Sequence, residues 1–326
     1  MTAREAASDA RFGVVVIGRN EGERLLRCLR SIRASSRLLV YVDSGSSDGS
    51  AALAESQGAV VVALDMSVPF TAARARNQGF ERLRQLSRAV RFVQFVDGDC
   101  EIVDGWLPAA CAYLEAHPKV ACVCGRLRER FPERSVYNRL CDAEWNRADG
   151  ETDACGGIAM MKVRDFEAVG GFNEALIAGE EPELCLRIRT QGGRIWRLPN
   201  DMAWHDADMH RFSQWWRRAM RGGYAAAEGS VMYGLGSTSR YVRKLGKIAL
   251  WSAGIPLAAL LLAAFVPWLF AIAAVYPLQV VRFALGGSSW LSALFQVLAS
   301  FPEGAGAARY FLDRARKRRG RLIEYR

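Results

Sequence analysis

The stretch "FVQFVDGDCEI", residues Phe92 to Ile102, combines a short apolar run with two carboxylates, Asp97 and Asp99, on either side of a glycine. An apolar run of this length that ends in a turn is typical of a buried strand. Similar runs precede it, "FGVVVI", "LLVYVD" and "AVVVAL", and each is followed by an amphipathic helical pattern. Alternating strands and helices predict an α/β fold, in which an open, mostly parallel sheet carries helices on both faces.

Polar residues follow the predicted strands at the point where each strand ends. Asn20 lies in the loop after the first strand, Asp43 ends the second, and Asp97 and Asp99 follow the fourth. Ligands of open parallel sheets bind beyond the carboxyl ends of the strands, so we expect these residues at one edge. Paired carboxylates there can bind a hard divalent cation that bridges to phosphate oxygens. By itself the D-G-D motif is weak, because a solvated turn is the more common explanation.

The ordered set of motifs is far more specific than any single one. The segments "VVVIGRNEG", "VYVDSGSSDGS", "ARARNQGF", "FVDGDCEI" and "GGFNEALIAGEEPELCLRIRTQGG", with a later His, resemble the motifs of family 2 glycosyltransferases in the same order. The resemblance covers Phe12 to His205. It implies the GT-A fold and an inverting transfer of a sugar from a nucleotide-diphosphate sugar, helped by a divalent metal, Mn²⁺ or Mg²⁺. We expect the donor to be a UDP-sugar.

The resemblance also implies roles for individual residues. For the donor these are Asp43 (nucleotide base), Asp97 (ribose side), Arg76 (nucleotide or diphosphate) and Asn20; for the metal, Asp99, Asp97 and His205; and for catalysis, Glu181 as the general base, with Glu180 as its neighbour. The family usually has Glu-Asp where this chain has two Glu residues, so the second carboxylate is longer by one methylene. Taken singly, either Glu could instead stabilise a helix N-terminus, Asp43 could organise a turn, and His205 could be a core histidine.

A long apolar segment follows the region of resemblance. Residues Ile248 to Val281, "IALWSAGIPLAALLLAAFVPWLFAIAAVYPLQVV", include no charged residue. One helix of this length would exceed the roughly 30 Å of a bilayer core, and Pro267 interrupts it. We therefore expect a transmembrane or re-entrant hairpin with spans of about Ile248 to Val266 and Trp268 to Leu285. Basic residues on both sides favour cytoplasmic ends. The alternative is a buried core hairpin of a soluble protein.

The remaining organisation follows from charge and aromatic content. The net charge is +10, and the segment from Phe301 has eight basic residues against three acidic ones. The segment "RFSQWWRRAMRGGY", which begins at Arg211, combines aromatic and basic residues at helical spacing and suits a membrane interface. We predict a flexible N-terminus (1–11), a GT-A catalytic domain (12–208), an amphipathic interfacial region (209–247), the hairpin (248–285) and a basic cytoplasmic tail (286–326). The catalytic domain should be cytoplasmic and membrane-attached, with a lipid-linked or glycan acceptor.

Composition and motifs exclude several other classes. The eight cysteines include no C-x-x-C pair, which favours small buried groups in a reduced compartment over disulfides or zinc ligands. No G-x-G-x-x-G follows the first strand, so a dinucleotide-binding domain is not indicated. Anionic lipid is a nearer partner for the basic tail than nucleic acid. Two alternatives stay open: a membrane-tethered scaffold that binds a nucleotide sugar without catalysis, and a nucleotidyltransferase, although "GRNEG" is a poor phosphate loop.

Overall fold

The computed structural model describes residues 11–33, 35–36, 38–234 and 239–318. The predicted flexible N-terminus lies outside the described residues except for Arg11, and so does the end of the predicted tail, 319–326. The chain folds into two compact units. Unit 1 extends to Leu176 and resumes over Glu180–Asp208, whereas unit 2 comprises Ile177–Gly179 and the residues from Met209 onward. Each unit is described by itself below.

Unit 1 is built on one sheet of nine strands. The strands are β1 (Phe12–Gly18), β2 (Leu39–Asp43), β3 (Val60–Ala63), β4 (Phe92–Asp97), β5 (Cys100–Ile102), β6 (Val120–Glu129), β7 (Gly150–Glu151), β8 (Ala159–Lys162) and β9 (Arg194–His205). Strands β1, β2 and β4 are buried along almost their whole length, as their continuous apolar sequences predict.

The sheet is mixed, with parallel and antiparallel strand pairs. The strand order is β3-β2-β1-β4-β8-β6-β9-β5, with β7 pairing to β9. Strands β1 to β4 pair in parallel, but β8 is antiparallel to β4 and β6, and β5 is antiparallel to β9. The prediction of a mostly parallel sheet is therefore correct for the first four strands and for the β6–β9 pair, whereas β5, β7 and β8 run antiparallel to their neighbours. Strand β8 has four residues and the β6–β9 pairing contains register shifts, so no long β-branched run marks this half in the sequence.

The register of the parallel strands brings their carboxyl ends together. Gly18 pairs with Asp43, and Ile17 pairs with Asp97, so the two carboxylates end strands on either side of β1. In the described residues, seven α-helices complete unit 1: α1 (Glu23–Arg33), α2 (Ser50–Ser56), α3 (Ala72–Leu86), α4 (Trp106–Ala116), α5 (Val136–Trp145), α6 (Val163–Ala168) and α7 (Glu180–Thr190). A Cβ on Gly79 of α3 would clash with Val15 Cγ1, so α3 packs directly on β1.

All eight cysteines lie in the described residues, where each is buried and outside any disulfide. The prediction that they act as small buried groups rather than as disulfides is confirmed. Two of these cysteines are neighbours in the fold. Cys155 and Cys185 lie next to each other, with their sulfur atoms 3.6 Å apart.

Unit 2 is entirely helical in the part that the structure describes. Its helices are α8 (Phe212–Tyr233), α9 (Ser239–Ala249), α10 (Ile255–Ala263), α11 (Val275–Leu285), α12 (Trp290–Leu298) and α13 (Ser300–Ala315). A π-helical stretch, Leu250–Gly254, joins α9 to α10, and a 3-10 stretch, Pro267–Ala274, precedes α11. Two continuous helical segments result, Arg240–Ala263 and Pro267–Leu285, and by length and composition each could cross a membrane. The break before Pro267 is where the sequence predicts it.

The residues after Leu285 form more than a charged tail. They fold into α12 and α13, and α13 packs along α8. A Cβ on Gly223 would clash with the backbone oxygen of Glu303, and one on Gly306 would clash with the backbone oxygen of Met220. The two helix backbones are therefore in direct contact. The charge of this segment predicted only a tail, and the small residues that allow the contact were missed.

Two adjacent glycines of α8 provide a matched test of this packing. We expect Gly223→Ala to lower the free energy of unfolding by about 1–3 kcal/mol, because the new methyl would force α13 away. Gly222→Ala places its methyl 3.6 Å from the flexible Glu303 side chain, so it should be neutral or stabilise the helix by up to about 1 kcal/mol. Thermal unfolding of both variants in detergent measures the difference. Equal melting temperatures would contradict direct backbone contact.

Candidate active site

A buried guanidinium connects three elements at the carboxyl edge of the sheet. Arg76 of α3 donates from one terminal nitrogen to Asp97 Oδ1 at 2.9 Å and from the other to Glu180 Oε1 at 2.8 Å. Its side chain is 4% exposed, whereas that of Asp97 is 35% exposed. The end of β4, the middle of α3 and the start of α7 are thereby tied together. The backbone at Gly157 lies close to the same guanidinium, since a Cβ there would be 3.3 Å from it.

The charge of Arg76 is maintained by its two partners. Burial works against a charged guanidinium, but the carboxylates of Asp97 and Glu180 outweigh it and raise the pKa of Arg76 above its ordinary value. The ring of Phe172 lies 5.4 Å from the guanidinium carbon and covers it. This cluster is a fixed ion-pair network rather than a set of mobile surface charges.

The loops after β1 and β2 are held together by side-chain hydrogen bonds. Asp43 Oδ2 accepts from the backbone N–H groups of Gly45 and Ser46, and its Oδ1 accepts from the Tyr41 hydroxyl at 3.2 Å. Asn20, whose φ is +55°, accepts from the backbone N–H of Ser47 through its Oδ1. Asp43 therefore organises the turn, as the structural alternative predicted, and Asn20 fixes the neighbouring loop against it. The two residues shape one end of the strand edge.

A second group combines a carboxylate with an imidazole. Asp99 is buried, and its Oδ2 lies 3.4 Å from Nε2 of His205, which ends β9. The other imidazole nitrogen lies 3.8 Å from Glu129 Oε2. Glu129 itself is fully buried and accepts from the backbone N–H of Phe131 and Ala207. The imidazole of His205 thus lies between two buried carboxylates, with Nε2 on the side of Asp99.

Asp99 and His205 fit a divalent cation. Their ligand atoms and the sulfur of Cys100 lie within 4.8 Å of one another. Carboxylate and imidazole are suitable ligands for Mn²⁺, whereas burial, followed by the charge of Asp99, raises the pKa of the Cys100 thiol and keeps it neutral. Asp97, also predicted as a metal ligand, is not part of this group. Its carboxylate is paired with Arg76.

The two acidic residues that begin α7 face different surroundings. Glu180 pairs with Arg76, whereas Glu181 is buried and accepts from the backbone N–H of Cys155 and, at 3.1 Å, from the Cys185 thiol. Both hydrogen bonds go to Oε1 of Glu181. Burial, followed by the charge of Cys155, raises the pKa of Glu181 to about 8. A carboxylate with a pKa near the working pH is suited to accept a proton.

Sequence reasoning found most of these residues and missed three kinds of neighbour. The structure brings Arg76, Asp97 and Glu180 together, and Asp99 with His205, but it separates Glu181 from these contacts. The missed residues are Glu129 beside His205, Trp145, whose ring centroid lies 4.7 Å from that of His205, and the cysteines around Glu181. Of these missed residues, only Cys185 could have been found from the local sequence, because it follows Glu181 by four residues and so lies on the same helix face.

Comparison with protein families finds two models that match parts of this chain. Residues 13–170 match the model of glycosyl transferase family 2, and residues 141–211 match that of the N-terminal domain of galactosyltransferase. Pre-mycofactocin glycosyltransferases of two Mycobacterium tuberculosis strains are 27% identical over 229 residues, which is 65% of this chain and 46% of theirs. The chain thus spans about half the length of the curated relatives it matches.

Solved structures share the fold at low identity. The mannosyltransferase PcManGT from Pyrobaculum calidifontis, in complex with GDP-Man and Mn²⁺, aligns with a TM-score of 0.58 at 21% identity, over 93% of this chain and 87% of that one. Residues 1–349 of S. aureus TarS, in complex with UDP-GlcNAc, align with a TM-score of 0.50 at 14% identity, over 94% and 92%. The fold is GT-A-like, with a mixed sheet. Residues 13–170 thus match a glycosyl transferase family 2 model, and the solved structures share the fold of this chain.

Proposed function

We propose that the protein is an inverting, metal-dependent glycosyltransferase that moves one sugar from a nucleotide-diphosphate sugar to a lipid-linked or glycan acceptor. The reaction would take place at the cytoplasmic face of a membrane, in the synthesis of a cell-envelope or exopolysaccharide glycan. The observation that carries the proposal is the edge at which β2 and β4 end in Asp43 and Asp97. Asp99 with His205 and the acidic start of α7 complete the set of groups that this chemistry needs.

A nucleotide-sugar donor is supported by the neighbours of this fold. One of them is described with GDP-Man and another with UDP-GlcNAc. In this chain, the loops after β1 and β2 would receive the nucleotide, with Asn20 and Asp43 fixing their shape and Asp97 on the ribose side. We retain a UDP-sugar as the proposed donor and include GDP-sugars in the test. Release of nucleotide from a panel of both kinds, by the detergent-solubilised protein, identifies the donor.

Charge on the leaving diphosphate requires a cationic partner. Asp99 and His205 would bind the divalent metal, and Glu129 would keep the imidazole oriented toward it. When bound, such a cation offsets the negative charge that develops as the glycosidic bond to the diphosphate breaks. Arg76 contributes in a different way, because its two ion pairs fix the positions of Asp97 and Glu180. It is a positioning residue for the carboxylates on both sides of it.

A single displacement at the anomeric carbon requires a general base for the acceptor hydroxyl. We assign this role to Glu181, in agreement with its place in the family motif. Its raised pKa increases the basicity of the carboxylate form, and Oε2 accepts neither of the hydrogen bonds that fix Oε1. Glu180, neutralised by Arg76, is the poorer proton acceptor. No covalent enzyme intermediate is needed.

Membrane attachment is supported by unit 2. Segments Arg240–Ala263 and Pro267–Leu285 are long and apolar, and only 11% and 0% of their apolar windows are buried within the protein. Leaving such a surface in water would be costly at about 25 cal/mol per Å². A lipid-linked acceptor would then share the membrane with the enzyme. A glycan acceptor at the same face is compatible with the same site.

Metal dependence can be tested at Asp99. We expect chelation to abolish transfer and Mn²⁺ to restore it, and we expect Asp99→Asn to leave a folded protein with at most about 1% of the wild-type rate at any Mn²⁺ concentration, because one anionic ligand is lost. Asp104→Asn, a change at an exposed loop residue, is the matched control and should be unaffected. Nucleotide release is the readout. Full activity in excess chelator would refute the metal requirement.

The assignment of the base makes a prediction about pH. Glu181 has a pKa of about 8 and can accept a proton only as the carboxylate, so the transfer rate at saturating donor should rise as the pH increases through about 8. Glu181→Gln should lower the rate by about 10²-fold or more and remove this rise, while donor affinity stays unchanged. Rates between pH 6 and 9, with donor binding measured separately, provide the test.

Glu180→Gln is the matched control for the neighbouring carboxylate. The glutamine keeps an acceptor for Arg76 but loses the negative charge. We therefore expect a smaller loss of activity than for Glu181→Gln. It should appear mainly as a higher KM for the donor, and the transfer rate should keep its dependence on pH. The opposite result, a wild-type rate for Glu181→Gln and an inactive Glu180→Gln, would mean that the base is Glu180.

The hairpin predicts the side of the membrane on which each loop lies. All native cysteines are buried in unit 1, so a cysteine introduced at Ser288 reports on its own accessibility. We expect Ser288→Cys to react with an impermeant maleimide only in inverted vesicles, because two spans return the chain to the cytoplasm. Phe265→Cys, in the loop between the spans, is the comparison and should not react from the cytoplasmic side. Labelling of Ser288→Cys in intact spheroplasts would indicate a single span.

A further inference from the structure

We propose that Cys155, Cys185 and Glu181 form a binding site for a thiophilic divalent cation such as Zn²⁺, and that the bound cation blocks glycosyl transfer by occupying the Glu181 carboxylate. The site itself is independent of the proposed function. Only its effect on transfer rests on the role of Glu181 as the base.

The three ligand atoms have the spacing of a metal site. The sulfur atoms of Cys155 and Cys185 are 3.6 Å apart, and Glu181 Oε1 lies 3.1 Å from the Cys185 sulfur. With Zn–S bonds of about 2.3 Å, two sulfurs of a tetrahedral site are separated by about 3.8 Å. All three atoms lie within 4.8 Å of one another. A cation could therefore replace the thiol protons of Cys155 and Cys185 with only small movements of the side chains.

Two elements of the fold hold these ligands in place. Glu181 and Cys185 are four residues apart on α7, so they lie on one face of the helix. Cys155 comes from the connection between β7 and β8, and its backbone N–H donates to Glu181. The next two residues, Gly156 and Gly157, have φ values of +86° and +88°, which only glycine adopts readily. The sequence thus maintains the turn that points Cys155 at the helix.

The chemistry of the ligands favours a thiophilic ion. A cation binds the thiolate form of cysteine and displaces its proton, and two buried thiols, Cys155 and Cys185, lie 3.6 Å apart here. Two sulfurs and one carboxylate oxygen suit Zn²⁺ or Co²⁺, whereas Mn²⁺ and Mg²⁺ prefer oxygen ligands. The group around Asp99 and His205 differs in this respect, since it combines one sulfur with a carboxylate and an imidazole.

Cobalt reports on such a site without any substrate. The fully reduced protein in detergent, titrated with Co²⁺ in the absence of oxygen, should develop the near-ultraviolet absorption of cobalt–thiolate bonds with one equivalent of metal. Zn²⁺ should displace it. We expect Cys185→Ala to abolish the absorption, and Glu181→Gln to weaken Co²⁺ binding at least about tenfold, since even indirect partners of a metal contribute 10–100-fold. Cys100→Ala and Cys111→Ala are controls that change a buried cysteine elsewhere and should keep the wild-type spectrum.

Three results of the titration would overturn the site. They are no thiolate absorption in the wild-type protein, absorption that persists in Cys185→Ala, and absorption that disappears in Cys100→Ala. Melting temperatures separate misfolding from ligand loss, because a cation that binds only the folded protein raises the wild-type melting temperature. Zn²⁺ should raise the melting temperature of the wild type and of Cys111→Ala, but not that of Cys155→Ala.

The effect on transfer is measured separately. With Mn²⁺ and donor saturating, stoichiometric Zn²⁺ should lower the wild-type transfer rate by about 10²-fold, the contribution of a general base. The rate of Cys155→Ala, whatever its basal value, should not change with Zn²⁺. If Zn²⁺ binds and the wild-type rate is unaffected, the cation site stands and its inhibitory role is overturned. Because the cobalt titration needs no turnover, a failure of the proposed glycosyl transfer cannot be mistaken for a failure of the cation site.

Discussion

The ion pairs of Arg76 are the constraint on which the candidate site depends. A buried guanidinium without partners would cost several kcal/mol, and removal of one partner from a buried pair typically costs about 3–5 kcal/mol. Asp97 and Glu180 therefore have to remain at its two ends. Since Asp97 ends β4 and Glu180 begins α7, the start of α7 is fixed to the carboxyl edge of the sheet. The geometry of the candidate site follows from this electrostatic requirement.

The same constraint separates the two neighbouring acidic residues. Successive residues of a helix point about 100° apart, so the contact of Glu180 with Arg76 turns Glu181 toward Cys155 and Cys185. One carboxylate then lies against a cation, and the other is desolvated with a raised pKa. Adjacent carboxylates whose environments differ in this way are a recurrent arrangement in acid–base chemistry. Here the two environments differ because the first turn of α7 lies between the charged Arg76 and the buried Cys155 and Cys185.

Most of the first half of the fold could be predicted from sequence, because β1, β2 and β4 are continuous apolar runs that end in polar residues. Their parallel register then fixes where Asp43 and Asp97 lie. The second half could not be predicted, since β8 is short and is placed by pairing with distant strands rather than by its own pattern. Glu129 and Cys155 approach the site only through that pairing and through a glycine turn. The α8–α13 contact depends on glycines, which carry no hydrophobic periodicity.

The two groups of possible cation ligands bear on metal selectivity. At a given site Zn²⁺ binds more tightly than Mn²⁺, so an enzyme that uses Mn²⁺ depends on ligand type and access rather than on affinity alone. Asp99 and His205 supply an oxygen and a nitrogen, whereas the surroundings of Glu181 supply sulfur. Cys155 and Cys185 are at most 2% exposed, and the N–H of Cys155 bonds the carboxylate that a cation would take. A thiophilic ion is thus directed to the buried sulfur ligands around the candidate base, whereas Asp99 and His205 offer the oxygen and nitrogen ligands that suit Mn²⁺.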